Sequence, residues 1–352
     1  MLNEIVQPLI SWYRQNKRIL PWRDQKNAYY TWVSEIMLQQ TRVEAVKPYF
    51  LRFIGELPDV KALAECPEEK LMKLWEGLGY YNRVRNMQNA AQTVVSEYSG
   101  ILPVSYEELL ALKGIGSYTA GAIASIAYDI PVPAVDGNVL RVFSRITEDR
   151  QDIMKQSVRR QVEEKLLEIM PKEAPGDFNQ ALMELGAVVC VPNGPARCTE
   201  CPIAEFCRAY HHGTVDELPV KAPKKKRTIE YRTVFVIQDG ERTAIHKRPE
   251  EGLLAGLYEL PNAEGHLSMD EALERVKEMA LEPLYIEALP EAKHIFSHIE
   301  WRMTGYRIRV SSLEERKESS FIFTEKKQSE KQYAIPSAFR AYIKYMKEKS
   351  GK

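Results

Sequence analysis

Apolar side chains recur at three- and four-residue spacing through residues 1 to about 212, as at Leu71, Leu74, Trp75 and Leu78, the period of one helix face. Gly55, Pro58, Pro67, Gly100 and Pro103 punctuate the pattern, and no segment there sustains alternation with period two. This part predicts a mainly α-helical domain. The texture then changes. Residues 213–228, GTVDELPVKAPKKKRT, are polar, with two prolines and a basic run of Lys224, Lys225, Lys226 and Arg227, and read as a tether. Beyond it TVFVIQ and TAIHKRP flank Asp239-Gly240, a hairpin signal. SMDEALERVKEMA (268–280) is an amphipathic helix, strand-like sequence runs through Ile308 and Val310, and a closing helix is predicted from Pro336 as a first-turn residue. Residues 229–352 are therefore an α+β domain and the chain is multi-domain.

The 352 residues carry 49 Lys and Arg against 49 Asp and Glu, a net charge of zero. That argues against a blanket electrostatic hold on nucleic acid and leaves room for a few local donors. No run of 18 apolar residues exists to span a membrane. The basic residues of MLNEIVQPLISWYRQNKRILPWR follow its apolar stretch, the reverse of a signal peptide, so the chain reads as cytoplasmic. Four of the five cysteines fall between 190 and 207, and in a reducing compartment a metal explains them better than disulfides.

Those four, Cys190, Cys198, Cys201 and Cys207, follow C-x7-C-x2-C-x5-C, a spacing that lets one loop wrap four thiolates around zinc or a four-iron cluster. Cys66 stands apart and reads as a small packed residue. Arg197 and Arg208 flank the ligands and can face phosphate. In SYEELLALKGIGSYTAGAIASIAY (105–128), Ser105 and Glu108 form a capping box for a helix ending at Gly114, and Gly116 and Ser117 open a second one. Two helices joined by Gly-Ile-Gly make a helix–hairpin–helix whose free N–H groups suit a DNA phosphate. Two prolines then keep Ile130 to Val135 extended, and Asp136 caps the next helix. That return is long enough to bring Asp136 back to the Tyr118 end of the hairpin, where a fixed carboxylate suits a positively charged transition state.

The helix–hairpin–helix, the return to VDGN and the four-cysteine loop resemble the endonuclease III superfamily of DNA glycosylases. WVSEIMLQQTRV (32–43) and LWEGLGYYNRVRNM (74–87) narrow the resemblance to the MutY-type adenine DNA glycosylases, over nearly the whole chain. The resemblance implies a [4Fe-4S] cluster on the four cysteines. It also implies excision of adenine opposite 8-oxoguanine or guanine in double-stranded DNA, by a monomer. Glu35 would be the general acid, in a pocket lined by Trp32, Ile36 and Met37; Asp136 would stabilise the oxocarbenium-like sugar, and Tyr118 and Asn138 would orient the reacting groups. Tyr118 stands where lyase relatives carry a lysine nucleophile, so the enzyme reads as monofunctional. Gln40 and Tyr80 would fill the gap left by the flipped base, Arg23 would contact the extruded adenine, and Gly114 and Gly116 would approach phosphate. The chain departs from the family pattern in three places. The first cysteine gap holds seven residues where six is commoner, Lys113 replaces a proline, and Gln180 replaces a glutamate expected at the adenine edge.

Residues 1–212 thus read as a helical glycosylase domain with its cluster loop at 190–207, joined by linker 213–228 to a Nudix-like domain at 229–352. The helix at 268–280 lacks the paired glutamates that hold Mg2+ in a working Nudix hydrolase. Phe296, Ser297 and His298 match the family's triplet for reading 8-oxoguanine. The rivals are a pyrimidine glycosylase with lyase activity, which Tyr118 opposes, a silent damage binder, which Glu35 and Asp136 oppose, and a Nudix hydrolase.

Overall fold

The computed structural model describes residues 2–223, 226–312 and 321–346; Lys224 and Lys225 of the basic run lie outside the described residues. Helices α1 (Val6–Asn16), α2 (Ala28–Leu38), α3 (Val43–Glu56), α4 (Val60–Glu65), α5 (Glu68–Trp75) and α6 (Asn82–Glu97) precede the hairpin pair α7 (Tyr106–Ala111) and α8 (Ser117–Tyr128). After them come α9 (Gly137–Thr147), α10 (Gln156–Glu168), α11 (Pro175–Val188) and the short α12 (Arg208–His211). The chain packs as two units, residues 1–66 with 82–223 and residues 67–81 with 224–352. Helix α5 therefore counts with the second unit.

The first unit is all helical because its apolar stripes find each other. Leu9, Ile10 and Tyr13 of α1 meet Val139, Val142, Phe143 and Ile146 of α9 and Phe178, Leu182 and Leu185 of α11 in one core. Cys190, Cys201 and Phe206 pack against the same core, which anchors the cysteine loop to α9. Side-chain caps start several of these helices. Asn27 accepts from the Tyr30 N–H at 3.0 Å, Asp59 from Ala62 at 2.8 Å and Asp136 from Val139 at 2.7 Å. The capping box expected at Ser105 is half formed. Ser105 Oγ accepts from the Glu108 N–H at 3.3 Å, but it donates to Glu107 Oε2 at 2.9 Å. Helix α7 also stops at Ala111, three residues before the expected Gly114, because Leu112 is already extended and Gly114 takes φ +81° to reverse the chain.

In the second unit strands β1 (Thr228–Asp239) and β2 (Arg242–Lys247) form the hairpin about Asp239-Gly240, with Gly240 at φ +59°. Short strands β3 (Tyr258–Glu259) and β4 (Asn262–Glu264) follow, then α13 (Met269–Glu278), β5 (Pro283–Ile295), β6 (Ile299–Val310) and β7 (Phe321–Glu325). Among the described strands the order is β3-β2-β1-β6-β5, with β4 on β1 and β7 on β2; β1 and β6 run parallel. The run Val234–Ile237 is buried throughout because both faces of the sheet are covered. Val234 and Val236 face Trp301, Phe339 and Tyr342, while Phe235 and Ile237 face Ala272 and Val276 of α13. Ser268 and Glu271 close both halves of a capping box on α13. Helix α14 (Lys326–Gln332) and α15 (Arg340–Ile343) complete the unit. The closing helix does not start on Pro336 as a first-turn residue. Pro336 is the extended residue before a 3-10 turn at Ser337–Phe339, and α15 follows as a single turn. Helix α5 is held here by Tyr258 Oη donating to Glu69 (2.9 Å), Lys73 Nζ donating to the Tyr333 carbonyl (2.9 Å) and the Ile335 N–H donating to Glu76 (2.8 Å).

Candidate active site

Glu35 lies on α2 among Trp32, Ile36 and Met37, all buried, and is itself 6 % exposed. Burial pushes its carboxyl up to about 7; the Tyr118 hydrogen bond opposes this, the Asp136 charge adds to it, and Arg23 pulls it back. Tyr118, in the first turn of α8, donates its hydroxyl to Glu35 Oε2 and lies 4.0 Å from the Met183 sulfur. Burial, with Glu35 and Asp136 beside it, holds the Tyr118 phenol well above its ordinary range, so it remains a donor. A single turn of α8 and the cap of α9 thus face the acid.

Asp136 is braced on both oxygens. Oδ1 accepts the Val139 N–H at 2.7 Å and Oδ2 accepts from Asn138 Nδ2 at 2.7 Å. Burial raises its carboxyl, while these donors and Arg141 act to lower it. The bracing continues outward. Asn138 Oδ1 accepts from Arg141 Nη2 at 2.9 Å, and Arg141 Nε donates to the carbonyl of Cys190 at 2.9 Å. Gly186 of α11 makes the approach possible, since a Cβ there would sit 2.7 Å from Asn138 Cβ. A continuous hydrogen-bonded path joins Asp136 to the cysteine loop.

Cys190, Cys198, Cys201 and Cys207 line one cavity together with Arg145, Val189 and Tyr210. Burial, helped by the charges of the other three cysteines, pushes the Cys201 thiol up to about 12. Burial raises the Cys198 and Cys207 thiols as well, and thiols held up in this way ionise together only beside a cationic centre, which is the chemistry a metal group supplies. Arg145 Nη1 donates to Cys190 Sγ at 3.2 Å, and its carbonyl accepts from Cys207 Sγ at 3.5 Å. Arg197 and Arg208 are exposed on the same loop, and Cys66 is a buried cysteine apart from it.

The two glycines of the hairpin differ. Gly114 needs its positive φ, and a Cβ there would meet Asn86 Cβ at 2.6 Å. Gly116 faces open space at the N-terminus of α8, where no side chain caps the helix. Gln40 is exposed just past α2 with φ +59°. Arg83 Nη1 donates to the carbonyls of Ile36 (2.6 Å) and Gln39 (2.7 Å) and ties down the turn that presents it.

Arg23 is not directed at open space: it donates to Glu184 Oε2 at 2.9 Å. Gln180 sits half-buried on α11, one turn before Met183 and Glu184, with Nε2 3.4 Å from the Gly176 carbonyl. In the second unit the β5–β6 turn carries Phe296, Ser297 and His298. Phe296 packs edge-on against Trp301 with centroids 4.9 Å apart, and the His298 carbonyl accepts from the Thr228 N–H at 2.9 Å. Tyr80 Oη and Ser297 Oγ are hydrogen-bonded at 2.9 Å, so two residues 217 positions apart share one edge of this unit. Glu184, Arg18, Arg83, Arg141 and Met183 were not singled out from sequence. The one hint was charge inside apolar helical runs, at Arg141 and Glu184.

A helical hairpin with an uncapped second helix, beside a buried acid and a braced carboxylate, is the arrangement of a base-excision glycosylase. Residues 33–171 match the family described as HhH-GPD superfamily base excision DNA repair protein, and residues 233–345 match the NUDIX domain. The adenine DNA glycosylase of Mus musculus is 36% identical over 361 residues, covering 86% of this chain and 70% of the relative. That of Buchnera aphidicola subsp. Baizongia pistaciae is 33% identical, covering 83% of this chain and 82% of the relative. The chain belongs to the adenine DNA glycosylase family and is a DNA N-glycosylase of base excision repair. A solved structure of a non-covalent endonuclease III–DNA complex aligns at TM-score 0.51 and 25% identity, over 60% of this chain and 98% of that one. A thermostable thymine-DNA glycosylase shares the fold at TM-score 0.53 and 24% identity, over 60% of this chain and 97% of that one. Among the described residues no helix is long and apolar enough to cross a membrane.

Proposed function

We propose that this enzyme excises adenine paired with 8-oxoguanine, or with guanine, from double-stranded DNA, as a monofunctional glycosylase acting as a monomer in the cytoplasm. The observation that carries this reading is the buried Glu35, pushed up to about 7 and hydrogen-bonded by a tyrosine rather than a lysine at position 118. A carboxyl in that range holds a proton near neutrality and can pass it to N7 of adenine, which turns the base into a leaving group. The ring hydroxyl of Tyr118 orients the acid and offers no amine for a Schiff base, so the sugar is hydrolysed and the strand stays intact. Asp136, braced by Asn138 and the Val139 N–H, sets its negative charge against the developing oxocarbenium. Gln40 fills the stack as the base leaves. The N-terminus of α8 and Gly116 hold phosphate.

Ser297 and Tyr80 would read the partner base, with Phe296 and His298 shaping the turn. The four cysteines would hold a [4Fe-4S] cluster, which supplies a rigid cross-link for a loop that places Arg197 and Arg208 toward phosphate.

The test uses purified protein and duplexes with adenine opposite 8-oxoguanine, guanine or thymine, scored for strand breaks with and without alkali. Breaks opposite 8-oxoguanine and guanine that appear mainly after alkali are expected. Breaks without alkali would overturn the monofunctional reading, and equal cleavage opposite thymine would overturn the mispair reading.

A further inference from the structure

Glu184 has no part in the chemistry above, yet it is 1 % exposed and carries a charge. Such a group survives burial only when paired. Its partners come from one short loop. Oε1 accepts from Arg18 Nε at 2.6 Å and from the Arg18 N–H at 3.2 Å. Oε2 accepts from Arg18 Nη2 at 3.1 Å and from Arg23 Nη2 at 2.9 Å. Arg23 is further fixed by donating Nη1 to the Arg18 carbonyl at 3.3 Å and by lying over the Tyr13 ring, 5.6 Å from its centroid. Met183, the neighbour of Glu184 on α11, lies against Tyr118, so this corner adjoins the acid. Arg23 is also the cation that bears on Glu35.

We propose that Glu184 is a positioning residue for the excision step: its carboxylate clamps Arg18 and Arg23 and offsets part of the charge that Arg23 presents to Glu35. The inference rests on Glu35 being the acid. The charged and titratable groups around that acid are Tyr118 from α8, Asp136 at the head of α9, Arg23 from the loop before α2, and Glu184 from α11. Tyr13 from α1 and Asp177 from α11 bear on the same corner through Tyr13. Among the described residues Arg23 is the cation that bears on Glu35, and Glu184 is the direct counter-charge of both Arg23 and its neighbour Arg18. With Glu184 neutral, Arg23 would favour the ionised form of Glu35, and an ionised acid has no proton to give.

The test is the single-turnover excision rate against pH, with cluster absorbance and circular dichroism recorded for each protein. For Glu184→Gln the basic limb should move down by about one pH unit, giving roughly tenfold slower excision at pH 8 and little change at pH 5.5. Glu184→Gln combined with Arg23→Gln should return the midpoint to the wild-type pH even where the rate is lower overall. Should Glu184→Gln fail to fold, Glu184→Asp carries the test. Its carboxylate is drawn back by one methylene from Arg18 and Arg23, and the midpoint should again move down. A rate lowered by one factor at every pH, or a midpoint that stays in place, would overturn the proposal. A wild-type protein that excises nothing at any pH would remove the functional reading itself, and the clamp with it.

Discussion

Glu35 sets activity against stability. Its carboxyl binds a proton more tightly in the folded chain than in the unfolded one, because burial disfavours the ionised form. A raised group contributes stability that is fully present below its unfolded value, near 4.5, and is lost as pH rises through about 7. The loss amounts to roughly 3 kcal/mol. Glu35→Gln removes the titrating group while keeping its shape. It should abolish excision, leave Tm unchanged near pH 4.5 and raise Tm at pH 8, as thermal melts at the two pH values would show. Tyr118 makes a second case. On the proposed reading Tyr118→Lys places an amine within reach of the sugar and should yield strand breaks without alkali, at a lower total rate because Glu35 loses its donor. A folded variant with no such breaks would count against the placement of Tyr118 beside the sugar.

Two helices carry most of the arrangement, and each does so through its N-terminus. Helix α8 presents uncapped N–H groups beside Gly116, but Ser117 in its first turn donates to Glu163 of α10 at 3.0 Å. If α8 holds phosphate as proposed, a carboxylate this close would compete for the positive end of the helix. Glu163→Gln should therefore tighten DNA binding by about two- to fivefold at low salt, a gain that fades as salt screens it. Fluorescence anisotropy across a salt series would show it, and weaker binding would mean that Glu163 serves to orient Ser117. Helix α9 is capped by Asp136 at one end, while Arg141 and Arg145 on its buried side reach the cysteine loop. Much of this was legible beforehand. The cap at Asp136 and the extended return announce themselves through two prolines and an apolar run, and the cysteines through spacing. Glu35 was legible only by resemblance, since a glutamate on a helix usually faces water. The pairing of Glu184 with Arg18 spans 166 positions, and no local pattern says which opposite charges will meet. The end of α7 and the 3-10 turn after Pro336 were misread because turn closure, and not helix propensity, decides them.

The chain as a whole crosses between its two units three times, after Cys66, after Tyr81 and after Pro223. Sequence texture shows only the last crossing, because the tether is polar and basic while α5 reads like any other amphipathic helix. Residues 67–81 are the consequence of interest. They are covalently part of the helical half, but their side chains are spent on Tyr258, Tyr333 and Ile335 of the other. They act as a clasp. A protease that nicks the chain within 213–228 severs one strand of a connection that has two others, and the clasp remains fastened. The nicked protein should elute as a single species on size exclusion while running as two bands under denaturing conditions. The separate C-terminal piece, made without residues 67–81, should melt at a lower temperature than the same piece in the nicked whole. Two species on the column would show that the clasp is too weak to hold. A latch of this kind lets the connecting peptide vary in length and charge without setting the two halves adrift.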